Sequence, residues 1–216
     1  MDAPLTAPIP LMTILVILSY FIGSIPFGLL IALLKGVDLR NVGSGNIGAT
    51  NVFRSVGKTW GIGAFLLDAL KGFLPAFVFP LLLTDSSPGW LGIACGAAAV
   101  VGHNWPVWLG FKGGKGVSTS AGMLLGIAPA AVGLGFGVFA ITVVLTRWVS
   151  LGSILAAVTV AAAGLYLYAQ NNPLLAGVLV VMGLLVVVKH RANIRRLLNG
   201  TEPRILGQKS GSVLDN

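Results

Sequence analysis

Val117-Ser-Thr-Ser-Ala-Gly-Met-Leu-Leu-Gly-Ile-Ala-Pro129-Ala-Ala-Val-Gly-Leu-Gly-Phe-Gly-Val-Phe-Ala-Ile-Thr-Val-Val-Leu-Thr146 is the stretch whose reading decides the architecture. It holds no charged residue, yet Lys115 precedes it and Arg147 follows it. Basic residues flanking membrane spans collect on the cytoplasmic side. If both ends are cytoplasmic, the stretch must cross the bilayer twice, and Pro129 near its middle is the natural turning point. Each arm is then about 13–17 residues, or ~20–25 Å as helix. Such short arms are tolerated where the bilayer thins or other helices shield their ends. A single tilted span would instead put Arg147 and the basic tail outside, which the charge rule rejects.

The rest of the 216-residue chain supports a membrane reading. It is 56% hydrophobic and 9% charged, with a mean hydropathy of +0.92. That composition belongs to a polytopic membrane protein and leaves no room for a soluble domain of ordinary size. Further apolar runs cover 11–34, 61–83, 91–111, 151–168 and 174–189. With 117–129 and 131–146 they make seven spans in a single membrane domain, 1–216. Lys and Arg fall in the first loop (Lys35 to Lys58), at Lys112 and Lys115, at Arg147 and in the tail from Lys189, with Lys71 the one other. The expectation is an all-α integral membrane protein with seven transmembrane helices, N-terminus outside and C-terminus cytoplasmic. The turns around Asp85 and Asn171 then face outward. Met1 to Pro10 carries no basic residue, so the first run is expected to stay as a span rather than be cleaved as a signal. The net charge of +8 suits anionic lipid rather than nucleic acid. Cys95 is the only cysteine, which excludes an intrachain disulfide.

Four polar segments share the cytoplasmic side. The first, Ser44-Gly-Asn-Ile-Gly-Ala-Thr-Asn-Val-Phe-Arg54, holds two glycines, Ser44, Asn46, Thr50, Asn51 and an arginine, and no acid. Its glycines let backbone N–H groups approach a ligand, and Arg54 offers a planar fork for phosphate. The bland alternative is a connecting loop that caps the next helix. The second, Lys112-Gly113-Gly114-Lys115-Gly116, runs into Val-Ser-Thr-Ser. It is not a Walker A loop, because Gly116 follows Lys115 and no strand precedes it. Its glycines can form a nest for an anion, with Lys115 as a point charge, and Ser118–Ser120 open a helix N-terminus. The third holds Arg147, Ser150 and Ser153. The fourth holds His190 and Asn193, which share one helical face, while Arg191 and Arg195 share another that suits lipid head groups. Asp68 and Lys71 lie three apart within an apolar run. They are either a functional intramembrane pair or a structural one near the water boundary.

Five Asp and one Glu are scattered, so no carboxylate cluster stands ready for Mg²⁺. Neither His103 nor His190 is followed five residues later by Asp, so the His-x-x-x-x-Asp motif of common glycerolipid acyltransferases is missing. A transporter of phosphate or a glycerol phosphate fits the broken helices and the basic site, but the polar residues gather on one face.

The first motif, then Gly102-His-Asn-Trp-Pro106 with Phe111-Lys-Gly-Gly-Lys-Gly-Val-Ser-Thr119, then His190-Arg-Ala-Asn-Ile-Arg-Arg-Leu-Leu-Asn-Gly-Thr-Glu202, together resemble the bacterial acyl-phosphate:glycerol-3-phosphate acyltransferases, the PlsY family. The resemblance runs from Gly23 to about Arg204. It implies a seven-helix bacterial inner-membrane enzyme with a cytoplasmic active site and no cofactor or metal. It implies transfer of a fatty acyl group from acyl phosphate to the sn-1 hydroxyl of glycerol 3-phosphate, giving lysophosphatidic acid and phosphate. By resemblance the catalytic set is Ser44, Asn46, Thr50, Asn51, His190 and Asn193. The phosphate-binding set is Arg54, Lys112, Gly113, Gly114, Lys115, Gly116, Ser150 and Ser153. The partners implied are the two substrates and membrane lipid, with no nucleic acid; oligomeric state and chain-length preference stay open. The proton acceptor is either His190 or a phosphate oxygen of the substrate.

Overall fold

The computed structural model describes residues 9–83 and 87–205. The Asp85 turn, the first eight residues and the tail beyond Ile205 lie outside the described residues. Within them are ten α-helices and no strand: α1 Ile9–Ser24, α2 Phe27–Leu34, α3 Ala49–Ser55, α4 Lys58–Leu81, α5 Leu91–Asn104, α6 Val117–Ile127, α7 Pro129–Thr146, α8 Val149–Tyr168, α9 Pro173–Lys189 and α10 Arg191–Leu198.

Four apolar rods are long enough to cross a membrane: Ile9–Leu34 taken as one broken helix, α4, α7 and α8. The pair α9–α10, bent by 56°, makes a fifth candidate, and α6 is a shorter apolar helix. The outward faces are greasy. Leu66, Phe136, Ile141, Val144 and Leu145 are all exposed, a surface that hydrocarbon tolerates and water does not.

The breaks follow backbone chemistry. Pro26 cannot donate, and the first rod divides there into α1 and α2. The third run ends earlier than its apolar composition suggests: α5 stops at Asn104, because Pro106 disfavours a helical Trp105. A single 3-10 turn, Val107–Leu109, follows. The first polar loop is not wholly irregular, since α3 lies within it.

Val117–Thr146 folds as two helices with Ala128 between them and Pro129 opening the second. Its two ends meet again. Lys115 Nζ donates to Asn193 Oδ1, Asn193 Nδ2 to Glu202 Oε1, and Trp148 Nε1 to Glu202 O. The residues before α6 and after α7 are thus joined through one short chain of hydrogen bonds. The arms are unequal: α6 has 11 residues and α7 has 18.

Helices α1, α4, α5 and α6 pack as one half, and α7, α8 and α9 as the other; α6 touches both α7 and α9. The α4–α6 seam is the tightest. A Cβ on Gly122 would stand 1.8 Å from Ala69 O, and one on Gly72 2.1 Å from Thr119 O. Only glycine permits that approach, which is how membrane helices gain dispersion contact without a hydrophobic driving force.

Gly122→Ala or Gly72→Ala should therefore destabilise by about 1–3 kcal/mol through overpacking. Gly63, on the same α4 with nothing near its Cβ position, should gain about 0.5–1 kcal/mol on replacement by Ala. Thermal unfolding in detergent checks the contrast; equal effects at Gly63 and Gly122 would refute the seam.

Candidate active site

Between the two halves lies a cavity of about 210 Å³. One end is polar. Ser44, Thr50 and Arg54 come from the first segment, Lys115, Ser118 and Ser120 from the loop and first turn of α6, Ser150 and Ser153 from α8, and His190, Asn193 and Glu202 from the end of the chain. The other end is an apolar slot walled by Leu124 of α6, Phe136 and Phe139 of α7, Ala157 and Val160 of α8 and Met182 of α9.

Each polar group is held by local chemistry. Gly116, at φ +78°, takes the left-handed conformation that turns the loop into α6. Neither α6 nor α8 has a side-chain cap at its start, and first-turn residues of both, Val117, Ser118, Val149 and Ser150, line the cavity; a helix N-terminus favours an anion. Arg54 rides on α3 and donates to Pro203 O at 2.8 Å, while its buried Nε has no partner. Ser120 Oγ is likewise buried without a hydrogen bond, while Ser150 Oγ faces the Glu202 carboxyl. Orphaned donors of this kind are rare in folded interiors, and here they converge on one space.

Lys115 Nζ donates to Asn193 Oδ1 at 2.5 Å. Asn193 passes the contact on to Glu202, whose other oxygen takes Arg196 Nε at 2.7 Å. Burial, reinforced by Arg196 and Arg54 and opposed by Glu202, lowers the Lys115 pKa to about 8. Burial also lowers Arg54, though Glu202 opposes it. Burial works to raise the Glu202 carboxyl. The Ser150 hydroxyl, the Asn193 amide and the Arg196 guanidinium outweigh that and hold it below the usual range. His190 Nδ1 donates to Val186 O at 2.8 Å, which leaves Nε2 as the acceptor. Burial first, then the Lys115 charge, bring the His190 pKa to about 4.

Not every expected residue reaches the cavity as a free group. Asn51 is committed to the loop. Its amide donates to Leu39 O, Val42 O and Asn46 O, and its oxygen accepts Ser44 N. It lines the cavity while its amide is fully engaged in stapling the segment. Asn46 Oδ1 is bonded to Gly48 N, and Ser153 Oγ to Val149 O. Lys112 is exposed, and neither it nor Gly113 or Gly114 lines the cavity. The two glycines instead back onto α5, with Gly113 N on Asn104 O and Gly114 N on His103 O. Arg196 faces Glu202 rather than lipid. Glu202 itself escaped the residue-by-residue reading, because a lone acid in a basic tail looks like a solvated one.

A profile of the family described as glycerol-3-phosphate acyltransferase matches residues 13–200. The chain belongs to that family. The glycerol-3-phosphate acyltransferase of Geobacter sulfurreducens is 49% identical over 192 residues, 88% of this chain and 96% of that protein. The one from Aquifex aeolicus is 46% identical over 191 residues, 88% and 97% of the two chains. A crystal structure of PlsY, an integral membrane glycerol 3-phosphate acyltransferase, in its glycerol 3-phosphate form superposes with a TM-score of 0.80 at 44% identity, over 89% of this chain and 94% of that one. Its lysophosphatidic acid form gives 0.77 at 43% identity over the same shares. This glycerol-3-phosphate acyltransferase family member is thus a multi-pass membrane protein, and the sequence motifs and the fold agree on the family.

Two outcomes follow for this family member. Arg54→Ala and Lys115→Ala should each cost about 1.5–3 kcal/mol, or roughly ten- to hundred-fold in kcat/KM. Arg54→Lys, which loses the planar fork, should remain clearly impaired. Arg195→Ala, on the exposed face of α10, should be mild, while Arg196→Ala should be intermediate because it strips Glu202 of its charged partner. Near-normal kinetics for Lys115→Ala on folded protein would remove the loop from the site. The second outcome concerns pH. Lys115 is charged below its pKa of about 8 and loses that charge above it, so kcat/KM should fall on the alkaline side of about 8. Lys115→Arg should push that limb upward; a limb that does not move has another origin.

Proposed function

We propose that the protein transfers a fatty acyl group from acyl phosphate to the sn-1 hydroxyl of glycerol 3-phosphate, giving lysophosphatidic acid and phosphate. The observation that carries the reading is a single cavity with two cations at its polar end and an apolar slot running from it. A phosphate head and a fatty chain need those two environments in contact. In the crystal forms described as PlsY, the ligands named are glycerol 3-phosphate and lysophosphatidic acid; both carry a phosphate, and one also carries a chain.

In this reading the polypeptide crosses the bacterial inner membrane seven times, as α1 with α2, then α4, α5, α6, α7, α8 and α9. The N-terminus is outside, the C-terminus cytoplasmic, and the polar mouth of the cavity is cytoplasmic. The span 1–216 is one membrane domain. Basic residues support the orientation: Lys115, Arg147, Arg54 and the α10 arginines all belong to the polar end. The apolar slot between α7 and α8 admits the chain from the bilayer.

The reaction needs little from the protein beyond placement. The glycerol hydroxyl oxygen attacks the acyl carbonyl carbon, an ester C–O bond forms, and the anhydride bond to phosphate breaks. Phosphate is a good leaving group, so no covalent acyl-enzyme is required. Arg54 and Lys115 hold phosphate charge. Ser150 Oγ, Ser120 Oγ and the N–H groups at the starts of α6 and α8 offer donors where oxyanion charge develops. Ser44, Thr50 and the Asn193 amide, which fixes Lys115, complete the polar shell.

Basicity decides where the proton goes. Burial and the Lys115 charge bring His190 to about 4, which makes it a poor proton acceptor at neutral pH. The substrate's own phosphate oxygen takes that role in this reading. His190 Nε2 accepts a hydrogen bond from the hydroxyl and orients it, without keeping the proton.

Purified protein given acyl phosphate and glycerol 3-phosphate should form lysophosphatidate and phosphate, read by thin-layer chromatography or mass spectrometry. Acyl-CoA in place of acyl phosphate should give none. Among the described residues no three His, Cys, Asp or Glu side chains gather as a metal site, so the rate should survive a chelator. Product from acyl-CoA alone, or a rate abolished by chelation and restored by Mg²⁺, would overturn this reading.

A further inference from the structure

Three buried titratable side chains take no part in the chemistry above. Asp68 and Lys71 on α4 and His103 on α5 are 2%, 3% and 5% exposed. Lys71 Nζ lies 2.8 Å from Asp68 Oδ1 and donates to Ile25 O at 2.6 Å, at the break between α1 and α2. His103 Nδ1 stands 3.7 Å from the same Asp68 oxygen. Buried ion pairs of this kind are often replaceable by apolar residues without loss of stability, so packing alone does not account for three of them at one point.

What they adjoin is the glycine loop. His103 O accepts Gly114 N at 3.1 Å, and the neighbouring Asn104 O accepts Gly113 N at 3.3 Å. A Cβ on Gly114 would stand 2.1 Å from His103 Nε2. The imidazole is therefore pressed against the loop backbone one residue before Lys115. Asp68 and His103 also line the cavity wall.

We propose that His103 and Asp68 are positioning residues for the phosphate-binding loop. The ring is the support on which Gly114 rests, and it sets the height of Lys115 relative to Arg54. Asp68 faces Nδ1 at 3.7 Å, beyond hydrogen-bond length, and acts on the ring through its charge. Lys71, tied to the α1–α2 break, anchors Asp68 and cancels a negative charge that would otherwise repel an anion in the same cavity. This rests on the assignment of the phosphate site to Lys115 above.

The test is a kinetic comparison on the full chain in detergent, using acyl phosphate and glycerol 3-phosphate. His103→Gln should raise the KM for glycerol 3-phosphate roughly five- to fifty-fold with kcat within about threefold. Asp68→Asn combined with Lys71→Met, which leaves no charge unpaired, should move KM the same way by less. Joined to His103→Gln it should add nothing further, because Asp68 acts through the ring. In a Lys115→Ala background, His103→Gln should lose its effect on KM. A purely structural role would lower the unfolding midpoint and the yield while leaving KM unchanged in the protein that remains folded. That result, or effects that multiply independently, would overturn the proposal. Should His103→Gln not fold, the Asp68→Asn/Lys71→Met variant carries the same KM test. A wild-type protein making no lysophosphatidate from these substrates would instead defeat the functional reading, which separates the two failures.

Discussion

A cation must be taken out of water and still be charged: that constraint shapes the polar end of this molecule. Lys115 is buried enough that its pKa falls to about 8, and Arg54 feels the same cost. Left to themselves, two desolvated like charges would push each other apart or shed protons. Glu202 is what makes the arrangement tolerable. It lies near both cations and pairs directly with Arg196 at 2.7 Å, which compensates the local field. Everything that places Glu202 follows from that need. The chain after α10 turns back, Trp148 Nε1 and Arg54 donate to its carbonyls, and Ile205 N closes on Arg147 O. The short end segment is therefore a structural member of the site, linking α3, α8 and α10.

The membrane supplies the second half of the design. A seam as close as α4 against α6 brings the loop before α6 and the buried Asp68–Lys71 pair into one neighbourhood. The tight reversal at Ala128–Pro129 then sends α7 away on the far side of the cavity. The slot between α6, α7, α8 and α9 is apolar because its walls are Leu124, Phe136, Phe139, Ala157, Val160 and Met182. The polar end and the apolar slot are consequently not two cavities joined by a channel. They are the two ends of a single gap between helix halves.

Much of this was legible in the sequence, for reasons of scale. Apolar runs of membrane length and the placement of Lys115 and Arg147 are coarse signals, and in the structure the two ends of that stretch lie together, joined by the Lys115–Asn193–Glu202–Trp148 link. Motif spacing brought Arg54, Lys115, Ser150, His190 and Asn193 together, and all five line the cavity. What was not legible depends on contacts distant in sequence. Helix α3 is only seven residues long, too short for periodicity to reveal. That Asn51 is bonded to Leu39, Val42 and Asn46 could not be read from the motif. Arg196 reads as a lipid anchor because nothing in a basic tail announces that Glu202 folds back onto it. Gly113 and Gly114 read as ligand-facing, but their backs rest on α5, a neighbour that local spacing cannot specify.

The choice of resting partners for the two cations has a consequence for binding. Lys115 donates to an amide oxygen, that of Asn193, and Arg54 to a peptide oxygen, that of Pro203. Neither forms a direct ion pair, although Glu202 lies within reach of the same network. Asn193 stands between Lys115 and the carboxylate, donating to one and accepting from the other. A carboxylate in direct contact with Lys115 would have to be displaced by an incoming phosphate, and the exchange of one anion for another gains little. Exchanging a neutral oxygen for a phosphate oxygen, by contrast, adds a charge-assisted bond, about twice as strong as a neutral one. The asparagine spacer lets Glu202 hold the two cations in the protein at moderate range while leaving the close approach free for phosphate. An aspartate at 193 would fill that place with charge, and so in the proposed reaction the neutral side chain there matters as much as the lysine it touches.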